Sequence, residues 1–339
     1  MTHALVTGGA GFIGSHIATE LLERGHEVTV LDVLDPYYDL RIKERNLDLC
    51  REAGSDRFRF VEGSVTDEQL VRDILSSHDV EVIYHQAAQA GVRTSVDNPK
   101  KPHRINTTGL LTLLIAADEF GVQRFVNASS SSVYGEVEYL PYDEDHQTVP
   151  QSPYGVTKLA GEHYCRLWDE IYDVPTVTLR YFTVYGPRMR PNMAITNFTS
   201  RCLNGDPPVI YGDGQQTRDF TYIDDVVDAN LTLLDSGECD GEIVNVGSTR
   251  TITIEELATH VVDETEANVE LEYADPKEAD ARHTHADVSK ACDLLDYEPS
   301  TGIREGVSQF VDWYQDNKEW YEPLVRASQP ARASTSSTS

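Results

Sequence analysis

The stretch Val6-Thr7-Gly8-Gly9-Ala10-Gly11-Phe12-Ile13-Gly14 decides how this chain is read. A short apolar segment, Ala4-Leu5-Val6, precedes it, and an amphipathic segment, Ser15 to Arg24, follows it. A strand, a tight glycine turn and a helix start suit a pyrophosphate, because bare backbone N–H groups and the positive helix end approach phosphates closely. Gly25 reads as the C-cap of that helix. Glu27-Val28-Thr29-Val30-Leu31 reads as a second, β-branched strand, and it ends in Asp32. A carboxylate there accepts hydrogen bonds from the adenosine ribose hydroxyls and repels a 2′-phosphate, which points to NAD rather than NADP. The plainer alternative is a structural glycine turn followed by a chance acid.

The 339 residues suffice for one large α/β domain and a smaller one. No apolar run approaches the ~20 residues needed to cross a bilayer. The N-terminus enters a strand with no signal-peptide pattern, so a cytoplasmic protein is expected. Cys50, Cys165, Cys202, Cys239 and Cys292 are scattered without a CxxC pair and read as reduced thiols, with no metal site implied. The histidines, His85 and His163 among them, have no metal-like spacing and read as structural.

Strands alternate with helices as far as residue 181. Polar helix 36–53, strand 58–62, helix 67–77, strand 81–85, helix 104–120 capped by Gly121, strand 124–128, helix 153–171 and strand 176–180 follow in turn. Such regular alternation implies α/β architecture: a Rossmann-type doubly wound parallel sheet. Beyond Gly186 the elements shorten around Pro187, Pro191, Pro207 and Pro208, which suggests a second, smaller α/β substrate domain. Glu242 to Gly247 reads as a late strand returning to the main sheet. The expected division is 1–182, with about 220–247 returning, for NAD, and 183–219 with 248–322 for substrate. Residues 327–339 are low in complexity and read as a disordered tail.

Tyr154 and Lys158 form Y-x-x-x-K, which places both on one helix face. A lysine ammonium beside a phenol favours the phenolate, and such a tyrosine removes a proton from an alcohol as hydride leaves. A solvated helix face is the bland alternative. Ser129-Ser130-Ser131-Ser132 follows the fifth strand directly, where ligands of open α/β sheets sit, so a serine there can hold the reacting hydroxyl. The alternative is an ordinary polar loop.

Taken together, the G-x-x-G-x-x-G turn, His85-Gln86-Ala87-Ala88, Ser129 to Gly135, Tyr154-x-x-x-Lys158, Leu179 to Pro187 and Arg218 to Asp225 resemble the extended short-chain dehydrogenases that modify nucleotide sugars. The resemblance covers roughly residues 2–315. It implies catalytic Ser130, Tyr154 and Lys158. It implies NAD contacts from Gly8, Gly11, Phe12, Ile13, Gly14 and Asp32, from Ser64 and Val65, from Gln86, Ala87, Ala88 and Gln89, and from Asn106, Tyr154, Lys158, Tyr181 and Val184.

Several reactions in this superfamily share a 4-keto sugar. A 4,6-dehydratase resembles Ser-Thr-Asp-Glu before Val-Tyr-Gly, whereas this chain has Ser131 and Ser132 in place of the acids. A hydroxyl cannot replace a carboxylate in proton transfer near neutral pH, so elimination is disfavoured. Decarboxylases carry a Glu at the position of Ser132, which weakens that reading too. Asp35-Pro36-Tyr37-Tyr38-Asp39, Ala88 to Arg93 and Phe182 to Ala194 are similar to UDP-glucuronate 4-epimerases, although Arg188-Met189 and Asn192 depart from that pattern. UDP-glucose or UDP-N-acetylglucosamine epimerisation and a non-catalytic nucleotide-binding role stay open.

A hexuronate needs a partner for its carboxylate, and an arginine fork is the best available. Arg190 is the first candidate, with Arg188 and Arg93 behind it. The alternative is that these arginines pair with nearby acids. Ser131, Ser132, Thr183 and Arg190 are expected to hold that carboxylate away from the alignment that releases CO₂. Arg218 and Arg282 resemble pyrophosphate ligands, with Asn197, Val209 and Tyr211 as further nucleotide contacts. The resemblance also implies a homodimer built on helices 104–120 and 153–171.

There are 57 Asp and Glu against 28 Lys and Arg, a net charge of −29. The acids are spread along the chain, as at Asp143-Glu144-Asp145, Asp224-Asp225 and 264–272, which argues against nucleic-acid or anionic-membrane partners. Such a surface resembles that of proteins from a high-salt cytoplasm, where ions screen self-repulsion. A merely acidic protein is the alternative. Activity or melting temperature is expected to rise with molar KCl; a flat or falling response overturns the high-salt reading.

Overall fold

The computed structural model describes residues 1–135, 138–234, 236–276 and 282–328. Its centre is a seven-stranded parallel sheet. The strands are β1 (His3–Thr7), β2 (Glu27–Asp32), β3 (Phe58–Glu62), β4 (Val82–His85), β5 (Arg124–Ser130), β6 (Thr176–Tyr181) and, after three strands outside it, β10 (Ile243–Val246). Their spatial order is β10-β6-β5-β4-β1-β2-β3. β10 pairs with β6 in parallel, Ile243 opposite Thr178.

Both faces of the sheet are covered, which explains the near-continuous apolar runs. Alternate residues feed opposite cores. Ala4, Val6, Val28, Val30, Val82 and Tyr84 join Ile17, Leu21 and Val226 on one side. Leu5, Leu31, Ile83 and Phe125 join Val71, Ile74, Leu113 and Leu114 on the other. A second layer holds the sheet β7 (Thr183–Tyr185), β9 (Thr217–Tyr222) and β11 (Thr251–Thr253), and the pair β8 (Val209–Tyr211) with β12 (Glu272–Ala274).

Several boundaries differ from the sequence reading, each for a local reason. The helix expected from residue 36 begins at Leu40, where Asp39 accepts the Arg41 N–H at 3.0 Å. The helix expected from 104 begins at Lys100 and passes through a π-helical stretch, His103–Thr108, before Gly109–Phe120. Gly121 caps it at φ +67°. Ala327 and Ser328 close the helix Lys318–Ser328 instead of joining a disordered tail, and 329–339 lie outside the described residues. Among the described residues no helix is long and apolar enough to cross a membrane. All five cysteines are free thiols, and only Cys292 is exposed.

The sheet reverses its order between β1 and β4, so the loops after these strands diverge and leave a crevice at their carboxyl ends. The helix Pro153–Tyr172 reaches that crevice with its N-terminus. Ser152 caps it by accepting the Gly155 N–H at 3.1 Å, and Pro153 occupies the first turn. A Cβ on Gly155 would stand 2.4 Å from the Ser132 carbonyl oxygen, so glycine lets the serine loop lie on the helix. Gly155→Ala is therefore expected to lower stability by about 1–3 kcal/mol through overpacking. A urea midpoint equal to wild type shows that the loop yields freely.

Candidate active site

One cleft of about 710 Å³ opens at the switch point. Its floor is the glycine turn. Gly8 has φ +70°, and a Cβ there would lie 2.7 Å from the backbone of Ala87. Gly8, Gly11, Phe12, Ile13 and Gly14 all line the cleft. Gly11 is the N-cap of the helix Phe12–Glu23 and offers no side-chain cap, which leaves the helix end available to phosphate. Gln86, Ala87, Ala88 and Gln89, following β4, form one wall, and Ser64 and Val65 lie just beyond the end of β3.

Asp32 is buried at the end of β2. Its carboxylate accepts the Ala10 N–H at 3.2 Å, the Leu34 N–H at 2.8 Å and the Lys43 ammonium at 3.1 Å. The sequence reading missed Lys43, which also lines the cleft. Its signal is the helical stretch Leu40–Gly54, which packs against the helix Phe12–Glu23 and brings position 43 beside Asp32.

At the other end, Ser130, Ser131, Ser132, Tyr154, Lys158, Tyr181, Thr183 and Val184 line the same cleft. The Lys158 ammonium donates to the Ala128 carbonyl at 2.6 Å and stands 5.9 Å from the Tyr154 ring centroid. Burial lowers its pKa to about 8, against the raising influence of Cys165 and Glu162. The Tyr154 phenol is shifted upward, contrary to the simple expectation of a lysine-lowered phenol. Burial dominates, and the hydrogen bond with Ser130 and the charge of Arg190 only oppose it. His85 is buried with Nδ1 2.8 Å from the Thr7 hydroxyl, and burial followed by the Lys158 charge lowers its pKa to about 3.

Arg93, Arg190 and Arg218 also line the cleft. Arg190 has no acidic partner among the described residues; its guanidinium lies 5.8 Å from the Tyr37 ring centroid. Arg188 does not join it. Held at φ +65° and buried near Cys50 and Arg45, it is lowered to about 10 by burial, and its Nη1 has no hydrogen-bond partner. A left-handed turn points it away from the position expected of a second carboxylate ligand.

Five expected contacts lie off the cleft lining. Asn106 sits behind it: within the π-helical stretch it accepts the Gln89 N–H at 2.7 Å and donates to Thr157 at 3.0 Å. Asn197 turns back onto the Met193 carbonyl at 2.9 Å. Val209 and Tyr211 pair with Glu272 and Ala274 in the outer sheet. Arg282 faces solvent and pairs with Asp213 at 3.3 Å.

A family model described as GDP-mannose 4,6 dehydratase matches residues 5–310. The chain belongs to this family of NAD-dependent epimerases and dehydratases. A putative UDP-glucose 4-epimerase of Methanocaldococcus jannaschii is 38% identical over 317 residues, 92% of this chain and 98% of the relative. A UDP-glucuronate 4-epimerase of Thermodesulfobacterium geofontis is 37% identical over 321 residues, 94% and 98% of the two chains. The crystal structure of a UDP-glucuronic acid 4-epimerase from Bacillus cereus, in complex with UDP-glucuronic acid and NAD, matches with a TM-score of 0.87. It is 35% identical and covers 93% of this chain and 99% of that one.

The residues present fit the family's cofactor. The Gly8–Ala87 contact leaves no room for a side chain, and the uncapped helix end and the buried Asp32 are the complementary groups for a pyrophosphate and a ribose. Lys158 is charged below its shifted pKa and loses that charge as pH rises through about 8. A descending limb near that pH is expected in kcat/KM, and Lys158→Arg is expected to remove it at a reduced rate. An unchanged limb in the arginine variant assigns it to another group.

Proposed function

We propose that the chain is an NAD-dependent UDP-sugar 4-epimerase and that its preferred substrate is UDP-glucuronate, converted to UDP-galacturonate. The observation that carries the choice of sugar is Arg190, a cleft-lining cation without an acid partner among the described residues. Bidentate pairing with a carboxylate is what a free guanidinium does best.

The roles follow from position. Ser130 holds the sugar's C4 hydroxyl, and Tyr154 exchanges its proton. Lys158, fixed by the Ala128 carbonyl, supplies the positive charge that favours the phenolate when the proton leaves. NAD, when bound, supplies the hydride acceptor and donor at C4. Ser131, Ser132 and Thr183 stand with Arg190 to hold the C6 carboxylate, and Arg93 and Arg218 face the rest of an anionic substrate. Arg282, Asn197, Val209 and Tyr211 keep a nucleotide role only if the outer sheet moves toward the cleft.

Dehydration is disfavoured by the placement of acids. Among the described lining residues the carboxylates are Asp32, which ends β2, and Asp35, just after it. Asp32 is paired with Lys43 and Asp35 with Lys101 at 2.8 Å, and neither is free for proton transfer at the serine end. UDP-glucose remains the second reading, favoured by the uncharged Asn192 and the hydroxyl-rich lining.

We assign residues 1–182, with 220–247, to the NAD half; the pairing of β10 with β6 supports this. A homodimer is supported by exposed Ile115, Val156 and Ile171 on the helices Gly109–Phe120 and Pro153–Tyr172.

Product analysis with UDP-glucuronate, UDP-glucose and UDP-N-acetylglucosamine tests the reading. UDP-galacturonate is expected as the main product, and release of a UDP-pentose sinks the carboxylate clamp. Arg190→Ala is expected to lower kcat/KM for UDP-glucuronate about 100-fold, the loss of a charge-assisted pair, while sparing UDP-glucose. Equal losses for both sugars remove Arg190 from the carboxylate.

A further inference from the structure

Behind the serine loop lies a buried ion pair that the chemistry above does not use. Arg180, on β6, donates from Nε to one Glu162 oxygen at 2.9 Å and from Nη2 to the other at 2.8 Å. Glu162 is 1% exposed and Arg180 is 3% exposed. Each partner also reaches one end of the serine loop. The Ser129 hydroxyl donates to Glu162 at 2.5 Å. Arg180 Nη1 donates to the Tyr134 hydroxyl at 2.9 Å, and its guanidinium lies 4.8 Å from the Tyr134 ring centroid. Tyr134 in turn donates to Asn245 on β10 at 2.6 Å.

The segment between these two anchors is Ser130 to Val133. It carries the Ser130 hydroxyl bonded to Tyr154 and the Ser131 and Ser132 residues that line the cleft. Glu162 stands four residues after Lys158, one turn along the same helix face. The loop, the lysine and the helix are thus referred to one rigid pair.

We propose that Glu162 and Arg180 are positioning residues that pin both ends of the serine loop and so set Ser130 against Tyr154. This rests on the reading of Ser130 and Tyr154 as the proton-transfer site. The pair is too deep to touch substrate and works through Ser129 and Tyr134. Arg180 Nη1 also reaches the Glu144 carbonyl at 3.3 Å, so the pair ties the serine loop to the segment that follows it.

Breaking the pair itself threatens folding, because the remaining buried charge is left uncompensated. The informative variants therefore cut the links and leave the pair intact: Ser129→Ala, Tyr134→Phe and the double variant. Each single variant is expected to lose about 10-fold in kcat with KM unchanged, since misplacement of a reacting group acts on the chemical step. The double variant is expected to lose less than the product of the two, because both links hold one loop. Deuterium uptake of a peptide spanning 129–135 is expected to rise in each variant, with uptake in β1 and β2 unchanged. Wild-type kcat and wild-type uptake in Ser129→Ala overturn the proposal. Uptake that rises across all strands also overturns it, in favour of a purely stabilising pair. If wild type turns over no UDP-sugar, the catalytic reading fails while the exchange measurement still decides whether the pair pins the loop.

Discussion

The bidentate pair between Arg180 and Glu162 is the constraint on which the catalytic end of the molecule depends. It joins β6 to the helix Pro153–Tyr172, and through Ser129 and Tyr134 it reaches β5 and β10. Two opposing effects act on Arg180. Burial lowers its pKa, and the hydrogen bond and charge of Glu162 more than restore it, so the net direction is upward. Removal of one partner from such a pair typically destabilises by about 3–5 kcal/mol. A sheet could be held together by apolar residues alone. A polar pair fixes direction as well, and direction is what three hydroxyls and an ammonium require.

Much of this was legible in the sequence, where the signal was short-range. Gly8, Gly11 and Gly14 announce a turn because the turn is made within nine residues. Tyr154 and Lys158 announce one helix face because i and i+4 always share one. The alternation of β1, β2 and β4 was readable for the same reason. Long-range partners were not readable. Lys43 meets Asp32 only because Asp39 starts a helix that packs back against the helix Phe12–Glu23. Asn106 approaches Gln89 through a wide π-helical stretch that no spacing rule marks. Arg188 and Arg190 are two residues apart, yet a positive φ at Arg188 sends one into the interior and leaves the other at the cleft. The upward shift of Tyr154 is a property of burial, which motif spacing does not report.

That shift bears on mechanism. A phenol pushed upward by desolvation stays protonated in the resting protein, and a positive neighbour is needed to draw the proton off. Lys158 is itself pushed down by burial, but the Glu162 carboxylate one turn away opposes the shift. Burial, which raises one group and lowers the other, moves apart two proton affinities that lie close together in water, so the resting phenol holds its proton more firmly than the neighbouring ammonium does. The same low-dielectric pocket strengthens each hydrogen bond that Ser130 makes.

The charge of the whole chain opposes an anionic ligand at long range, and the cleft resolves the conflict locally. Its described lining holds five Lys and Arg residues against two Asp, and both Asp side chains are already in ion pairs. The acidic excess of the chain therefore lies outside the cleft, whose described lining is cationic in balance. Long-range repulsion between that exterior and a nucleotide sugar is screened within about 10 Å at 0.1 M salt and about 3 Å at 1 M. Direct contacts inside the cleft are made at hydrogen-bond distance, where screening by mobile ions acts least. Added salt thus weakens the repulsive field more than a short-range pairing at a cleft-lining cation such as Arg190. An acidic surface around a cationic cleft favours anionic substrates most where ions are plentiful, and recognition then rests on direct contact rather than on steering.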